Sequence, residues 1–260
     1  MTEQQILTSS AQDKIKQCEN DYIVTHTAFL TMSEMNVVLP ICRNHKNFWA
    51  FYGGYADAER CISIFFPDYI QLKPSDNLIE FLNENDDYNP LCLLRFEKDK
   101  FSKISHRDYL GALMGLGIER KNIGDILVSE KSCDIIVLKS IAKYILSNLE
   151  RAGKASLKGE ILPLERIIIP EEHFTERTDT VASLRIDNLL SAAFNTSRSD
   201  SAVAIEKGLV FINSFQVQKN DRAVKQGDKI VWRGKGKVIL TDINGETKKG
   251  RISINLKIFK

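Results

Sequence analysis

The chain has 260 residues, 43% of them hydrophobic and 27% charged, with only 14 Gly and 6 Pro, which sets aside collagen-like, low-complexity and wholly disordered chains and leaves room for about two domains. A net charge of +2 conceals a split: Arg177 to Lys260 holds 16 Lys and Arg against 8 Asp and Glu, or +8, while residues 1–176 hold 20 against 26, or −6. A basic end of that kind suits a polyanion, and a uniformly basic protein is excluded.

In chain order, a helix is expected over Ala11–Thr31 from Ile15, Cys18, Tyr22, Ile23, Phe29 and Leu30, followed by a second over Glu34–Cys42. A strand Phe48–Tyr52 runs into a turn at Gly53-Gly54 and pairs with the β-branched, aromatic strand Cys61–Phe66, which ends at Pro67. These make a small N-terminal α/β unit over residues 1–75. From Asn89 the elements alternate: strand Leu91–Phe96, helix Arg107–Leu116, strands Ile123–Val128 and Asp134–Leu138, helix Ile141–Arg151, strand Ser156–Leu162. The β-α-β-β-α-β order is that of ferredoxin-like and RNA-recognition-motif-like domains, assigned to residues 76–165. The glycine and aromatic octamer that stacks bases in such motifs is missing, so the sheet face is not assigned to RNA.

Leu164–Thr178, with Pro170-Glu171-Glu172, reads as a connection to a basic domain over residues 178–260. There Asp179–Asn195 reads as a helix, and Ser197 with Asp200 caps a second one that runs to Lys207 and stops at Gly208. Strands follow at Leu209–Ile212, Lys229–Trp232, Lys237–Leu240 and Ser253–Ile258, with turns at Gly227-Asp228, Asn244-Gly245 and Gly250. The fold class is α+β.

The pattern Arg185-Ile186-Asp187, Ser197-Arg198, Ile205, Gly208-Leu209-Val210, Asn213 and Gly227-Asp228 resembles the S4 (αL-type) RNA-binding module, with Ile186 and Ser214 as departures from it. Gly53-Gly54-Tyr55 with Ala58-Glu59-Arg60, His106-Arg107-Asp108 with Leu110–Gly117, Ile123–Ile126, Arg233–Lys237 and Thr247–Arg251 extend the likeness to the YlmH family of bacterial S4-domain proteins. The resemblance implies a cytoplasmic, ribosome-associated RNA-binding factor that needs no cofactor. Its implied partners are large-subunit ribosomal RNA, peptidyl-tRNA and other quality-control factors, and its role is rescue and tailing of stalled nascent chains. It places Arg185, Ser197 and Arg198 on RNA. Lys207, Arg233, Lys235, Lys237, Lys248, Lys249 and Arg251 complete the candidate RNA-binding set, because arginine forks and helix N-termini suit phosphate. Arg233, Lys235 and Lys237 alternate with glycines and are expected on one face of an extended segment, whereas Lys248, Lys249 and Arg251 sit at a turn and tend toward plain solvation. Asp187 is expected to orient an arginine or cap the helix.

Catalytic readings find little support. His106-Arg107-Asp108 resembles a kinase catalytic loop, but the Asn at its required offset and an Asp-Phe-Gly are missing, so helix capping is the better reading. Glu59 and Arg60 read as a structural ion pair. The five cysteines (Cys18, Cys42, Cys61, Cys92, Cys133) are widely spaced without a C-x-x-C pair, and four histidines add no metal spacing. Met1–Gln17 lacks the basic start and apolar run of a signal peptide, and no stretch reaches the ~20 apolar residues of a membrane span. The expectation is a noncatalytic protein. The alternatives are an S4-docked RNA-modifying enzyme of pseudouridine synthase type, and a protein-interaction scaffold linked to cell division.

Overall fold

The computed structural model describes residues 2–98, 104–170, 174–213 and 215–259. Ser214, one of the two departures noted above, lies outside them. Contacts divide the chain into two compact units, Met1–Pro170 and Glu171–Lys260.

In the first unit, α1 (Glu3–Asp21) opens on a capping box in which the Thr2 hydroxyl accepts from the Gln5 amide and the Gln5 side chain accepts from the Thr2 amide. Leu7, Ala11, Ile15 and Cys18 recur at helical spacing and join one apolar cluster. Tyr22, at φ 54, ends the helix in a left-handed turn, and Thr25–His26 forms the short strand β1. The expected Ala11–Thr31 helix is therefore corrected at both ends, by a cap upstream and a left-handed stop downstream. A second box, Thr31 with Glu34, starts α2 (Met32–Cys42). β2 (Trp49–Tyr52) and β3 (Ile62–Phe65) pair antiparallel in the order β1-β3-β2.

After α3 (Leu78–Glu84), a helix for which the sequence reading had no element, come β4 (Leu91–Glu97), α4 (His106–Gly115), β5 (Ile123–Val128), β6 (Ser132–Leu138) and α5 (Lys139–Asn148). β7 (Arg151–Ala152) and β8 (Ala155–Ser156) make a small hairpin before β9 (Lys158–Leu162). Arg151 thus belongs to that hairpin and not to a helix end, and the expected Ser156–Leu162 strand divides between hairpin and sheet. The sheet order is β5-β6-β4-β9 with antiparallel neighbours throughout.

This sheet is covered on both faces. Leu94, Phe96, Ile135 and Val137 pack under Tyr109 and Leu113 of α4 and Ala142 and Ile145 of α5. On the other face Leu91, Leu93, Ile136 and Leu138 pack with Phe29, Tyr52, Ile62, Ile64 and Phe66. The smaller sheet is itself roofed by α1 and α2 through Phe65, Cys61, Val38 and Cys42. Four layers result, helix, sheet, sheet, helix, and β3 and β6 are buried along their whole length because they sit between two apolar surfaces.

A polar weld crosses the two inner layers. The buried Asp125 accepts from the Tyr55 hydroxyl (2.9 Å) and from the backbone amides of Glu59 (2.8 Å) and Arg60 (3.1 Å). The Arg60 guanidinium donates to the carbonyls of Ile123, Phe29 and Arg120, and Arg120 donates to those of Ile123 and Gly124. The expected Glu59–Arg60 ion pair is corrected here: both residues turn their amides to Asp125. Gly124 is required at this seam, since a Cβ there would meet the Phe29 ring at 2.7 Å.

In the second unit, β10 (Phe174–Val181) precedes α6 (Ile186–Phe194) and α7 (Arg198–Glu206). β11 (Val210–Ile212), β12 (Phe215–Gln216), β13 (Lys229–Trp232), β14 (Gly236–Glu246) and β15 (Ile252–Phe259) complete an antiparallel sheet ordered β10-β15-β14-β13-β11-β12. Three expectations are corrected. Part of the supposed connection is β10, which pairs with β15 from Phe174↔Phe259 to Val181↔Ile252, and the helix begins at Ile186 instead of Asp179. Val181 belongs to the same core as the helix residues Leu189 and Ala193, so its apolar signal fitted either period. Asn244-Gly245 is not a turn but part of β14, where register shifts absorb it; the reversal comes at Thr247–Arg251. α6 and α7 cover one face of the sheet through Leu189, Leu190, Ala204 and Ile205 against Val210, Ile230, Val238 and Leu256.

Candidate nucleic-acid interface

The start of α6 is fixed by the long loop between β12 and β13. The amide of Ile186 donates to Arg222 O (2.9 Å), that of Val224 donates to Leu184 O (2.8 Å), and Arg185 bridges to Ala223. Arg185 thereby occupies the N-cap position with an extended backbone. Asp187, the second residue of the helix, is the hub. It accepts from Arg185 Nε and Nη2 (3.1 Å each), from Arg198 Nη2 (3.0 Å) and from the Asn188 amide (2.9 Å). Its side chain is 7% exposed, while those of Arg185 and Arg198 are 42% and 58% exposed. Burial pushes the Asp187 carboxyl up, but the hydrogen bonds from the two guanidinium groups outweigh it and hold the group below its ordinary value. Asp187 thus holds both forks oriented with their outer edges in water, while a second acid, Asp221, lies within electrostatic reach of Arg185.

Ser197 serves α7 directly: its hydroxyl accepts from the Asp200 amide (3.0 Å) and donates to the Asp200 carboxylate (2.7 Å). That cap places Arg198 at the first helical position, facing Asp187. Lys207, at the other end of α7, lies roughly 13 Å along the helix axis from Arg198 and is not part of the joint.

The remaining candidates form two further groups. Arg233, Lys235 and Lys237 do not line one extended segment, as the glycine alternation suggested. Lys235 N donates to Trp232 O, and Gly234 at φ 85 and Gly236 at φ 140 turn the chain sharply from β13 into β14. Each cation lies on its own ring: Arg233 over Phe211 (4.6 Å), Lys235 over Trp232 (4.6 Å), Lys237 over Phe259 (4.2 Å). At the far end of β14, roughly 30–35 Å away at the strand rise, Lys248 and Lys249 are exposed in the turn, while Arg251 donates to the hydroxyl and carbonyl of Thr180 and so anchors β10. The structure gathers Arg185, Ser197 and Arg198 and brings Lys235 within electrostatic reach of Asp200 beside Ser197, whereas Lys248 and Lys249 lie at the far end of β14.

Three features escaped the sequence reading. Arg177 on β10 donates to Ala192 O and to the Asn195 side chain, closing the C-terminus of α6. Lys257 sits over Phe174 at 4.6 Å. Phe215, 55% exposed, and the cations Lys219, Arg222 and Lys225 border a groove in the loop that holds Arg185. The signal available for the last was the run Lys219, Arg222, Lys225 between Asn213 and Gly227. In the first unit, His106-Arg107-Asp108 opens α4, with the Asp108 carboxylate accepting from the amide (2.8 Å) and hydroxyl (2.7 Å) of Ser105. No group of three or more His, Cys, Asp or Glu side chains that could hold a metal ion occurs among the described residues, and none of their helices is long and apolar enough to cross a membrane.

Comparison with known proteins adds three findings. The family model "Putative RNA-binding domain in YlmH" matches residues 84–166. The ribosome-associated protein quality control protein P2 of Bacillus subtilis (strain 168) is 35% identical over 233 residues, 90% of this chain and 86% of that protein. A solved structure, the cell division protein ylmH from Streptococcus pneumoniae, superposes at a TM-score of 0.51 with 20% identity, over 65% of this chain and 96% of that one, a likeness of fold.

Proposed function

The chain belongs to the YlmH family, and from that membership we propose that it is a cytoplasmic RNA-binding, ribosome-associated quality-control factor without catalytic activity. It docks on the large ribosomal subunit, contacts ribosomal RNA and peptidyl-tRNA, and supports rescue and tailing of stalled nascent chains, alongside other quality-control factors. The observation that carries the reading is the joint of α6 and α7, where Asp187 presents two exposed arginine forks side by side. Phosphate oxygens suit such bidentate donors, and holding them in advance lowers the ordering cost of contact. In domain terms we read residues 1–75 as an α/β unit, 76–165 as a ferredoxin-like, RRM-like domain, and 178–260 as an S4 module. The strand order β5-β6-β4-β9 supports the second assignment and the α6–α7 joint supports the third. Arg233, Lys235 and Lys237, and more weakly Lys207, Lys248, Lys249 and Arg251, supply further phosphate contacts beyond the joint.

A noncatalytic role is supported by how the buried carboxylates are used. Asp125 is committed to the weld, and Asp134 takes both Arg95 donors at 2.7 Å and the Ile168 amide at 2.7 Å. Cosedimentation of the full chain with purified large subunits tests the proposal. Wild type should pellet with them, and the Arg185→Ala, Arg198→Ala double variant should stay in the supernatant while keeping its circular dichroism. A double variant that pellets like wild type would remove the joint from the interface.

A further inference from the structure

The groove beside the joint has the chemistry of a nucleotide subsite. It measures about 880 Å³, within the range of small-molecule sites. Phe215 stands on one wall, on the edge strand β12, with 55% of its surface in water. An exposed phenyl ring of that size costs solvation, whereas the next inward residue of the loop, Val217, is buried in the core. Lys219, Arg222 and Lys225 are exposed along the groove, outnumbering the one exposed acid there, Asp221, and Gln218 adds an amide able both to donate and to accept.

The walls are stiff. Asn213 donates to the Asp228 carboxylate (2.7 Å) and accepts from the Lys229 amide (2.9 Å), and the other Asp228 oxygen accepts from the Lys225 amide (2.7 Å). Val217 and Val224 pin both limbs of the loop to the core. The groove is also continuous with the arginine joint, because Arg222 O accepts from the Ile186 amide and Arg185 bridges to Ala223. A strand whose phosphate rests on Arg185 and Arg198 therefore has its neighbouring nucleotide at the mouth of the groove.

The geometry points to this groove as the site of one unpaired RNA nucleotide, its base stacked on Phe215 and its phosphate held by Lys219 and Arg222. The inference rests on the RNA-binding reading of the joint and deepens it. A fully paired helix offers phosphates but no free base face, whereas a bulge or loop offers both. The module then selects RNA with a base out of the stack, a preference that the joint alone does not give.

The test uses the full chain and two RNA hairpins of equal length, one fully paired and one with a single-nucleotide bulge in its stem, at one salt concentration. Wild type should bind the bulged probe at least about fivefold more tightly, the lower end of the effect of removing one base–aromatic stack. Phe215→Leu should abolish that preference while leaving the paired probe unchanged, and Phe215→Trp should keep it, with indole emission quenched by the bulged probe alone. Equal binding of the two probes by wild type, or a Phe215→Leu variant that keeps the preference or loses affinity for both probes equally, would overturn the subsite. Arg198→Ala separates the two claims: it should weaken both probes alike, and failure of that result counts against the joint, whatever Phe215 does.

Discussion

The two large sheets of this protein are built from the same kinds of residue and put to opposite uses. In the four-stranded sheet of the first unit, both faces are apolar and both are covered, one by α4 and α5, the other by Phe29, Tyr52, Ile64 and Phe66. A base has no ring to stack on there, although the match to a family of RNA-binding domains covers this sheet. The six-stranded sheet of the second unit carries helices on one face, and its periphery bears cations braced by rings or carboxylates. The contrast teaches that a strand order of the RNA-recognition type is not an RNA site in itself. What decides is which face remains in water, and here that was settled by the first 75 residues, whose apolar side chains fill the surface that the fold would otherwise present.

The largest effect expected from this contrast is on stability. Phe66→Ala, in the double-covered interface, should cost the first unit about 3–5 kcal/mol in urea unfolding and leave RNA affinity of the folded protein unchanged; a drop in affinity without a drop in stability would reverse the roles of the two sheets. Next comes the Arg185→Ala, Arg198→Ala pair, expected to weaken RNA binding by about 3 kcal/mol, roughly a hundredfold, and also to lower the unfolding midpoint at neutral pH, because the buried Asp187 loses both guanidinium partners. Salt sharpens the same point: three to five phosphate contacts give a slope of log K against log salt of roughly −2 to −4.5, and Arg198→Ala alone should lower its magnitude by nearly one. Lys249→Ala, at a hydrated turn, should change affinity by less than about 0.5 kcal/mol, and parity with Arg198→Ala would erase the advantage of the joint.

The smallest effect concerns pH. The folded-state carboxyl of Asp187 lies below its unfolded value of 3.8, so its contribution is fully present above that value and is lost as pH falls through the lowered one. Urea midpoints of wild type and Asp187→Asn should therefore differ at pH 6 and converge toward pH 3. A gap that widens on acidification would mean that the two guanidinium groups do not stabilise the charged form.

Much of this was legible in the chain. The alternation from Leu91 to Leu162 gave the β-α-β-β-α-β order because β-branched runs and helical spacings there do not overlap, and Ser197 with Asp200 marked the start of α7 by cap chemistry alone. The failures have a common cause in contacts distant in sequence. Arg177 and Asp179 carry no strand signal of their own, and β10 is completed by β15, more than 70 residues later, which supplies its hydrogen bonds. Asp125 reads as one acid in a strand until Tyr55 and Arg60 arrive from another layer. At the joint, the residue types were visible but their convergence was not, since nothing in the spacing of Arg185 and Arg198 says that Asp187 lies between them. Phe215 was passed over because an aromatic beside a short strand usually belongs to a core.

The pairing of β10 with β15 also orders events in time. During synthesis the first strand of the second unit emerges with both edges open, and its one partner among the described strands, β15, follows more than 70 residues later. Until then α6, α7 and the inner strands can condense around Leu189 and Ile230, but the sheet keeps a long unsatisfied edge on β14, the kind of edge that recruits foreign strands. Contacts so far apart in the chain close slowly. The arginine joint, by contrast, depends on residues 183–224, and so its parts are in place well before the sheet that supports them is complete.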